Sequence, residues 1–183
     1  MTSPILFMLL GNPGAGKTTV AKIIEELTGA IRLTSDEERF KRFPNPSFSH
    51  EEHTSLYNQL DQETANLLAD GKSVIYDANL NRFAHRAEKY KICHQTGAKA
   101  VLVWLNTDRE LSKHRSTDQQ RQHLWPSGET PRDMFDRIAN LIETPRPNEN
   151  PIILDGTNNL TKNVVAKALL ERDLVNPDLN NEK

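Results

Sequence analysis

One cysteine in 183 residues, Cys93, leaves no partner for an internal disulfide and no basis for a cysteine-based zinc cage. A chain of this kind suits a reducing cytoplasm, which is the expected compartment. Charge of either sign is also lacking in excess. The 23 Lys and Arg against 25 Asp and Glu give a formal net charge of −2, so no overall field draws the protein onto nucleic acid or anionic membrane, although a local basic patch remains compatible. Long apolar runs are missing too. The stretch Ile5 to Leu10 is apolar but far too short to span a bilayer, lacks the basic start of a signal peptide, and leads directly into glycines. No internal repeat is visible. What remains is one domain of ordinary size, expected over residues 1–175 with a polar tail at 176–183.

Apolar runs of strand length alternate with amphipathic stretches. The expected strands are Ile5–Leu10, Ala30–Thr34, Ser73–Tyr76, Ala100–Leu105 and Ile152–Leu154. The first and fourth are apolar at almost every position, as strands buried on both faces of a parallel sheet are. Val20, Ile23, Ile24 and Leu27 form one helical stripe closed by Gly29. Ser49 and Glu52 make a capping box for a helix carrying Leu56, Leu60, Thr64 and Leu67. Phe83, Ala87 and Tyr90 mark the next helix, ending at Gly97. Thr130 and Pro131 open another, with Met134, Phe135, Ile138, Leu141 and Ile142 on its face. Val164, Val165, Ala168 and Leu169 mark the last. This alternation means βαβ units, an α/β fold with a parallel sheet. Lys41 to Phe48 reads as a loop, and Ser116 to Glu129 as a lid of about 115–130 between two helices.

Gly11-Asn12-Pro13-Gly14-Ala15-Gly16-Lys17-Thr18, followed by Thr19, is a complete GxxxxGK[ST] motif between an apolar strand and an amphipathic helix. At average composition the pattern arises by chance in roughly 1 % of chains this long. Its glycines let successive N–H groups point inward at phosphate oxygens, and the following helix N-terminus adds partial positive charge. Lys17 then reaches the β- and γ-phosphates, and the Thr18 hydroxyl joins a magnesium shell. ATP and Mg²⁺ are therefore the expected cofactors.

Other acidic and basic groups follow the same logic. Asp77 ends the apolar run Val74-Ile75-Tyr76, at the sheet edge where ligands of parallel sheets bind, and can hold magnesium; its alternative is a turn or cap residue. Asn79 either contacts the acceptor or caps the next helix. Asp36 in Thr34-Ser35-Asp36-Glu37-Glu38-Arg39 is the candidate base for an attacking hydroxyl, with Arg39 one turn on to hold an anionic acceptor. The competing reading makes Ser35 and Glu38 a capping box and Asp36 a first-turn acid. Among the basic residues after Asp108, Arg115 and Arg121 are the lid candidates for charge near the transferring group; the alternative for each is a solvated surface charge. Ala78 stands where motor-type ATPases carry glutamate, and DxxG and [NT]KxD are absent, which argues against a switch GTPase.

With GNPGAGKTT, SDEER, VIYDANLNRFAHR and the arginines from Arg115 to Arg121 in this order, the chain resembles the P-loop kinases related to the 5′-kinase domain of polynucleotide kinase, the zeta toxins and chloramphenicol phosphotransferase. The resemblance runs from about Ile5 to Asp155. It implies a P-loop three-layer sandwich with strand order 2-3-1-4-5, a lid and an ATP-magnesium substrate. By position it assigns Lys17 and Thr18 to phosphate and magnesium, Asp36 to the base and Arg39 to the acceptor. Asp77 becomes the second acidic site, Arg86 a substrate residue in the helix after it, and Gly156-Thr157 the segment against adenine. The departures concern substrate. Only Arg39, Lys41 and Arg42 cluster near the acceptor side, and the signatures of nucleoside monophosphate, shikimate and gluconate kinases are absent. The expected function is a kinase acting on a hydroxyl, of a small molecule in preference to a nucleic-acid 5′ end. The alternative is a nucleotide-dependent regulatory ATPase without an acceptor. No obligate protein partner is expected.

Overall fold

Six apolar residues in succession cannot all face one core in a strand, because successive side chains alternate sides; such a strand needs cover on both faces. In the computed structural model, which describes residues 3–117, 129–158 and 160–175, β1 (Ile5–Leu10) has that cover. Phe7 and Leu9 face one core with Val20, Ile24, Val165 and Leu169, while Leu6, Met8 and Leu10 face a second with Leu56, Leu60, Leu68 and Cys93. Most of the expected lid, including Arg121, and the tail from residue 176 lie outside the described residues.

Among the described residues the chain runs β1, α1 (Lys17–Thr28), β2 (Ile31–Thr34), α2 (Ser35–Arg42), α3 (His50–Ala69), β3 (Val74–Asp77), α4 (Phe83–Thr96), β4 (Lys99–Leu105), α5 (Arg109–Ser116), α6 (Pro131–Ala139), a 3₁₀ turn at Pro147–Glu149, β5 (Ile152–Leu154) and α7 (Lys162–Leu170). The five strands form one parallel sheet of order β2-β3-β1-β4-β5, the topology expected from the resemblance. Chain direction across the sheet reverses beside β1, so the crevice at its C-terminal edge is a ready ligand site. The register places Thr34 of β2 directly beside Asp77 of β3 at that edge.

Several local expectations shift. Helix α2 begins one residue earlier than a Ser35 cap would have it: the Thr34 hydroxyl accepts from the Glu37 N–H at 3.3 Å. The Glu38 carboxylate instead accepts from Lys41 and Arg42, one turn on, and these pairs carry the helix into the stretch read as loop. At α3 the Ser49 hydroxyl caps the Glu52 N–H at 3.2 Å, but the Glu52 carboxylate turns inward to Arg39, Ser47 and Phe48, so the box is only half formed. Helix α6 ends at Ala139, short of Leu141 and Ile142. Helix α4 buries Arg86, Lys89 and Cys93, whereas Phe83, Ala87 and Tyr90 are only partly covered. Burial pushes the Cys93 thiol up to about 11, so it is an inert core group.

Candidate active site

The P-loop joins β1 to α1 through two glycines that need a left-handed backbone, Gly14 at φ 76° and Gly16 at φ 103°. Gly14 is also hemmed in: a Cβ there would lie 2.2 Å from the Ser112 carbonyl oxygen of α5. The Lys17 ammonium donates to the carbonyls of Gly11 at 2.8 Å and Asn12 at 3.0 Å, which draws it back over the loop. Gly16 caps α1 without any side-chain hydrogen bond, and the first turn carries no acidic residue. Five other helices are capped by Thr34, Ser49, Asp108, Thr130 and Thr161, and α4 meets the Glu143 carboxylate through the Phe83 N–H. An N-terminus with no acidic residue in its first turn and no side-chain bond from its cap residue suits the binding of an anion.

This loop opens onto a cleft of about 940 Å³ at the C-terminal edge of the sheet. Gly11, Pro13, Gly14, Gly16, Lys17, Thr18 and Thr19 line it, as do Asp36, Arg39, Asp77, Asn79, Arg115 and Gly156. Most residues singled out from the sequence therefore meet in one place. Asn12 and Ala15 contribute backbone instead: Asn12 accepts from Lys17 and from the Ala15 N–H, and Ala15 is fully buried.

The acidic pair sits on the β2–β3 side. Asp36, in the first turn of α2, is exposed where the cleft passes it. Asp77 is largely enclosed, and burial pushes its carboxyl above the ordinary carboxylate range. The Lys17 and Arg32 charges oppose that shift, and the Asp36 and Glu37 carboxylates add to it. Arg32 approaches Asp77 at 3.7 Å and binds Glu37 at 2.7 Å. A carboxylate held at such cost fits a cation brought by the ligand. Thr18 and Asp77 supply oxygen donors in the same cleft, and no group of three or more His, Cys, Asp or Glu among the described residues could cage a metal. That donor set fits a magnesium ion that keeps its waters and shares phosphate oxygens.

On the other flank Arg115 donates to the Gly156 carbonyl at 2.8 Å. Gly156 sits so close that a Cβ would lie 2.1 Å from the Thr107 hydroxyl and 2.5 Å from the Ala15 carbonyl. Thr157 turns away, its hydroxyl accepting from the Asp108 N–H at 3.0 Å; the cleft meets Gly156, Asn158 and Leu160 instead. Asn79 is no helix cap, since α4 is capped at Arg82. Its side-chain oxygen accepts from the Asn81 N–H in a short turn, and it lines the cleft.

Two expectations for the acceptor side change. Arg86 does not reach the cleft: it is fully buried, grips Glu149 at 2.7 and 2.9 Å, and donates to the carbonyls of Leu80 and Asn81. Arg39 lines the cleft, but its charge is matched by the buried Glu52 carboxylate. Sequence reasoning missed Arg32, Phe48, His53, Tyr57, Met134, Arg137 and Ile138, all of which line the cleft. The one available signal was the spacing of His53 and Tyr57, four apart on the polar side of α3.

The family described as AAA domain matches residues 6–145, most of the chain. No curated protein matches the sequence. Among solved structures, a putative kinase from Chloroflexus aurantiacus is 16% identical with a TM-score of 0.74, covering 96% of this chain and 100% of its own. The APS kinase CysC of Mycobacterium tuberculosis, in complex with AMPPNP and APS, is 18% identical with a TM-score of 0.63, covering 95% and 98%. The Pnkp1/Rnl/Hen1 RNA repair complex matches at 19% and 0.65, over 78% of this chain and 45% of that one. At these identities the likeness is one of fold, an α/β P-loop fold. With its P-loop, strand order and cleft in agreement, the chain belongs to the AAA domain family.

Proposed function

We propose that the protein is an ATP- and magnesium-dependent kinase that transfers the γ-phosphoryl group to the hydroxyl of an acceptor bound in the cleft beside Asp36. The carrying observation is that the exposed Asp36 lines the same cleft as Lys17, Thr18 and Asp77. The P-loop N–H groups and Lys17 hold the phosphates, and Arg115 adds charge from the Gly156 side. Thr18 and Asp77 would hold magnesium, which when bound would neutralise phosphate charge. Asp36 accepts the acceptor's hydroxyl proton as that oxygen bonds to the γ-phosphorus and the bond to ADP breaks. Asn79 lines the same cleft and is placed to touch the acceptor.

The test is Asp36→Asn, assayed by ADP release with and without hydroxyl compounds. A base acts in the transfer step, so turnover should fall by ~10²–10⁴-fold while ATP affinity stays within a few-fold. Asn is nearly isosteric, and Thr34 rather than residue 36 caps α2, so the cap survives the change, and a thermal melt of the variant separates any loss of stability from the loss of turnover. Unchanged turnover would return Asp36 to a first-turn acid. ADP release that no acceptor raises above water would favour a regulatory ATPase.

A further inference from the structure

The α2–α3 wall of the cleft is assembled around one buried carboxylate. Glu52 accepts from the Arg39 guanidinium, from the N–H and hydroxyl of Ser47, and from the Phe48 N–H. The last bonds hold Phe48 at φ 55°, a left-handed conformation that a bulky residue adopts only when its surroundings impose it. The Arg39 guanidinium lies over the Phe48 ring, 4.9 Å from its centre. On its other side Arg39 Nη2 stands 3.3 Å from His53 Nδ1. A guanidinium can only donate, so His53 Nδ1 accepts, and the neutral imidazole carries its proton on Nε2. Burial first, then the Arg39, His85 and His50 charges, hold the His53 pKa below its ordinary value. The His53 ring stacks on Tyr57, centres 4.4 Å apart and planes 30° apart. The Tyr57 hydroxyl is fixed by the Asn79 N–H at 3.1 Å and by Ser35, next to Asp36.

This wall offers ring faces and polar hydrogens, but no unmatched positive charge. Around it Lys41 holds Glu38, and Arg42 holds Glu38 and Glu63. Arg32 holds Glu37, and Arg137 holds Glu129. Among the described residues every cation of the basic cluster and the acceptor side is already engaged by a carboxylate. A phosphorylated acceptor or a nucleic-acid strand would gain little from cations whose charge is already matched, and would place its own negative charge beside their carboxylates. We infer that this wall is the acceptor subsite and takes a neutral, ring-shaped hydroxyl compound such as a sugar or nucleoside, one ring face against His53 and Tyr57. His53 supplies its Nε2–H to an acceptor oxygen. Arg39 and Glu52 act as positioning residues that fix the tautomer of His53. The inference rests on the kinase reading and narrows its acceptor to uncharged molecules.

The experiment measures ADP release with matched pairs: glucose against glucose 1-phosphate, and adenosine against adenosine 3′-monophosphate, together with a 5′-hydroxyl oligonucleotide. The neutral member should be preferred by at least about tenfold in kcat/KM. In His53→Ala the KM for that acceptor should rise about five- to tenfold, as loss of one hydrogen bond and ring contact implies, with kcat and the KM for ATP within about twofold. A phosphorylated compound or oligonucleotide used as well as or better than the neutral one overturns the inference and leaves the kinase standing. An unchanged acceptor KM in His53→Ala overturns it as well. No ADP release above water with any compound overturns the kinase reading itself, and this inference falls with it.

Discussion

Replacing Arg86 with methionine should cost the fold about 3–5 kcal/mol, the usual penalty for stripping one partner from a buried ion pair. The size follows from what Arg86 leaves behind. Glu149 is 2% exposed at its side chain, and two of its four hydrogen bonds come from the Arg86 guanidinium; the others come from Tyr90 at 3.0 Å and the Arg146 N–H at 2.8 Å. Arg86 also satisfies the carbonyls of Leu80 and Asn81, just past the end of β3. For a chain of this size the loss corresponds to a fall in Tm of roughly 6–20 °C. Removing the stranded charge as well, in Arg86→Met with Glu149→Met, should recover part of it, so the two changes are far from additive. Thermal and urea unfolding measure both, with nucleotide binding as the control. Acid adds an independent reading. Burial alone would raise the Glu149 pKa, but Arg86, the Arg146 N–H and Tyr90 together hold it below its ordinary 4.5. A depressed carboxylate contributes stability that is present above its unfolded pKa and lost as pH falls through the folded one. The parent should therefore weaken between about pH 5 and pH 3 more steeply than the double variant. An Arg86→Met protein that unfolds like the parent yet loses acceptor affinity would refute this and restore Arg86 to the substrate.

Four further variants probe the cleft. Lys17→Ala removes the cation over the P-loop and should lower turnover at least about a hundredfold, some 3 kcal/mol of transition-state stabilisation, with the fold retained; near-normal ADP release would sink the phosphate assignment. Asp77→Asn should have opposite effects on two readouts. Its raised pKa means the charged form costs stability above the unfolded value, so the variant should melt higher than the parent at neutral pH without nucleotide, yet respond more weakly to magnesium. Thr18→Val should weaken the same magnesium titration, less than additively with Asp77→Asn. Gly14→Ala must place a Cβ 2.2 Å from the Ser112 carbonyl at φ 76°. It should lose at least about 1–2 kcal/mol from the backbone alone, and nucleotide affinity with it; a variant with parental Tm and affinity would mean that α5 yields freely.

The parts legible in the sequence share one property: a single local rule decides them. A glycine forced to positive φ, an uninterrupted apolar strand or an acid at a strand end needs no knowledge of what packs against it. The five strands fell within a residue or so of expectation, and the P-loop, Asp36, Asp77 and Arg115 converged because the sheet topology carries those chain positions to one edge. The misreadings arose where a polar side chain found a partner far along the chain. Counting apolar residues on α4 picks Phe83, Ala87 and Tyr90, but the helix turns Arg86 and Lys89 inward, because Glu149 lies 63 positions from Arg86 and Asp61 lies 28 from Lys89. No periodicity announces those carboxylates. Glu52 misleads in the same way: three residues after Ser49 it looks like half of a capping box, and Arg39 draws it into the interior instead. One pairing then accounts for both departures at this wall, since the contact that takes Glu52 from its cap also gives Arg39, which lines the cleft, a buried carboxylate partner. Charge matching across long sequence separations therefore shapes the α2–α3 side of this cleft, where Arg32, Arg39 and Arg42 already hold carboxylates, whereas the P-loop side is shaped by its glycine backbone.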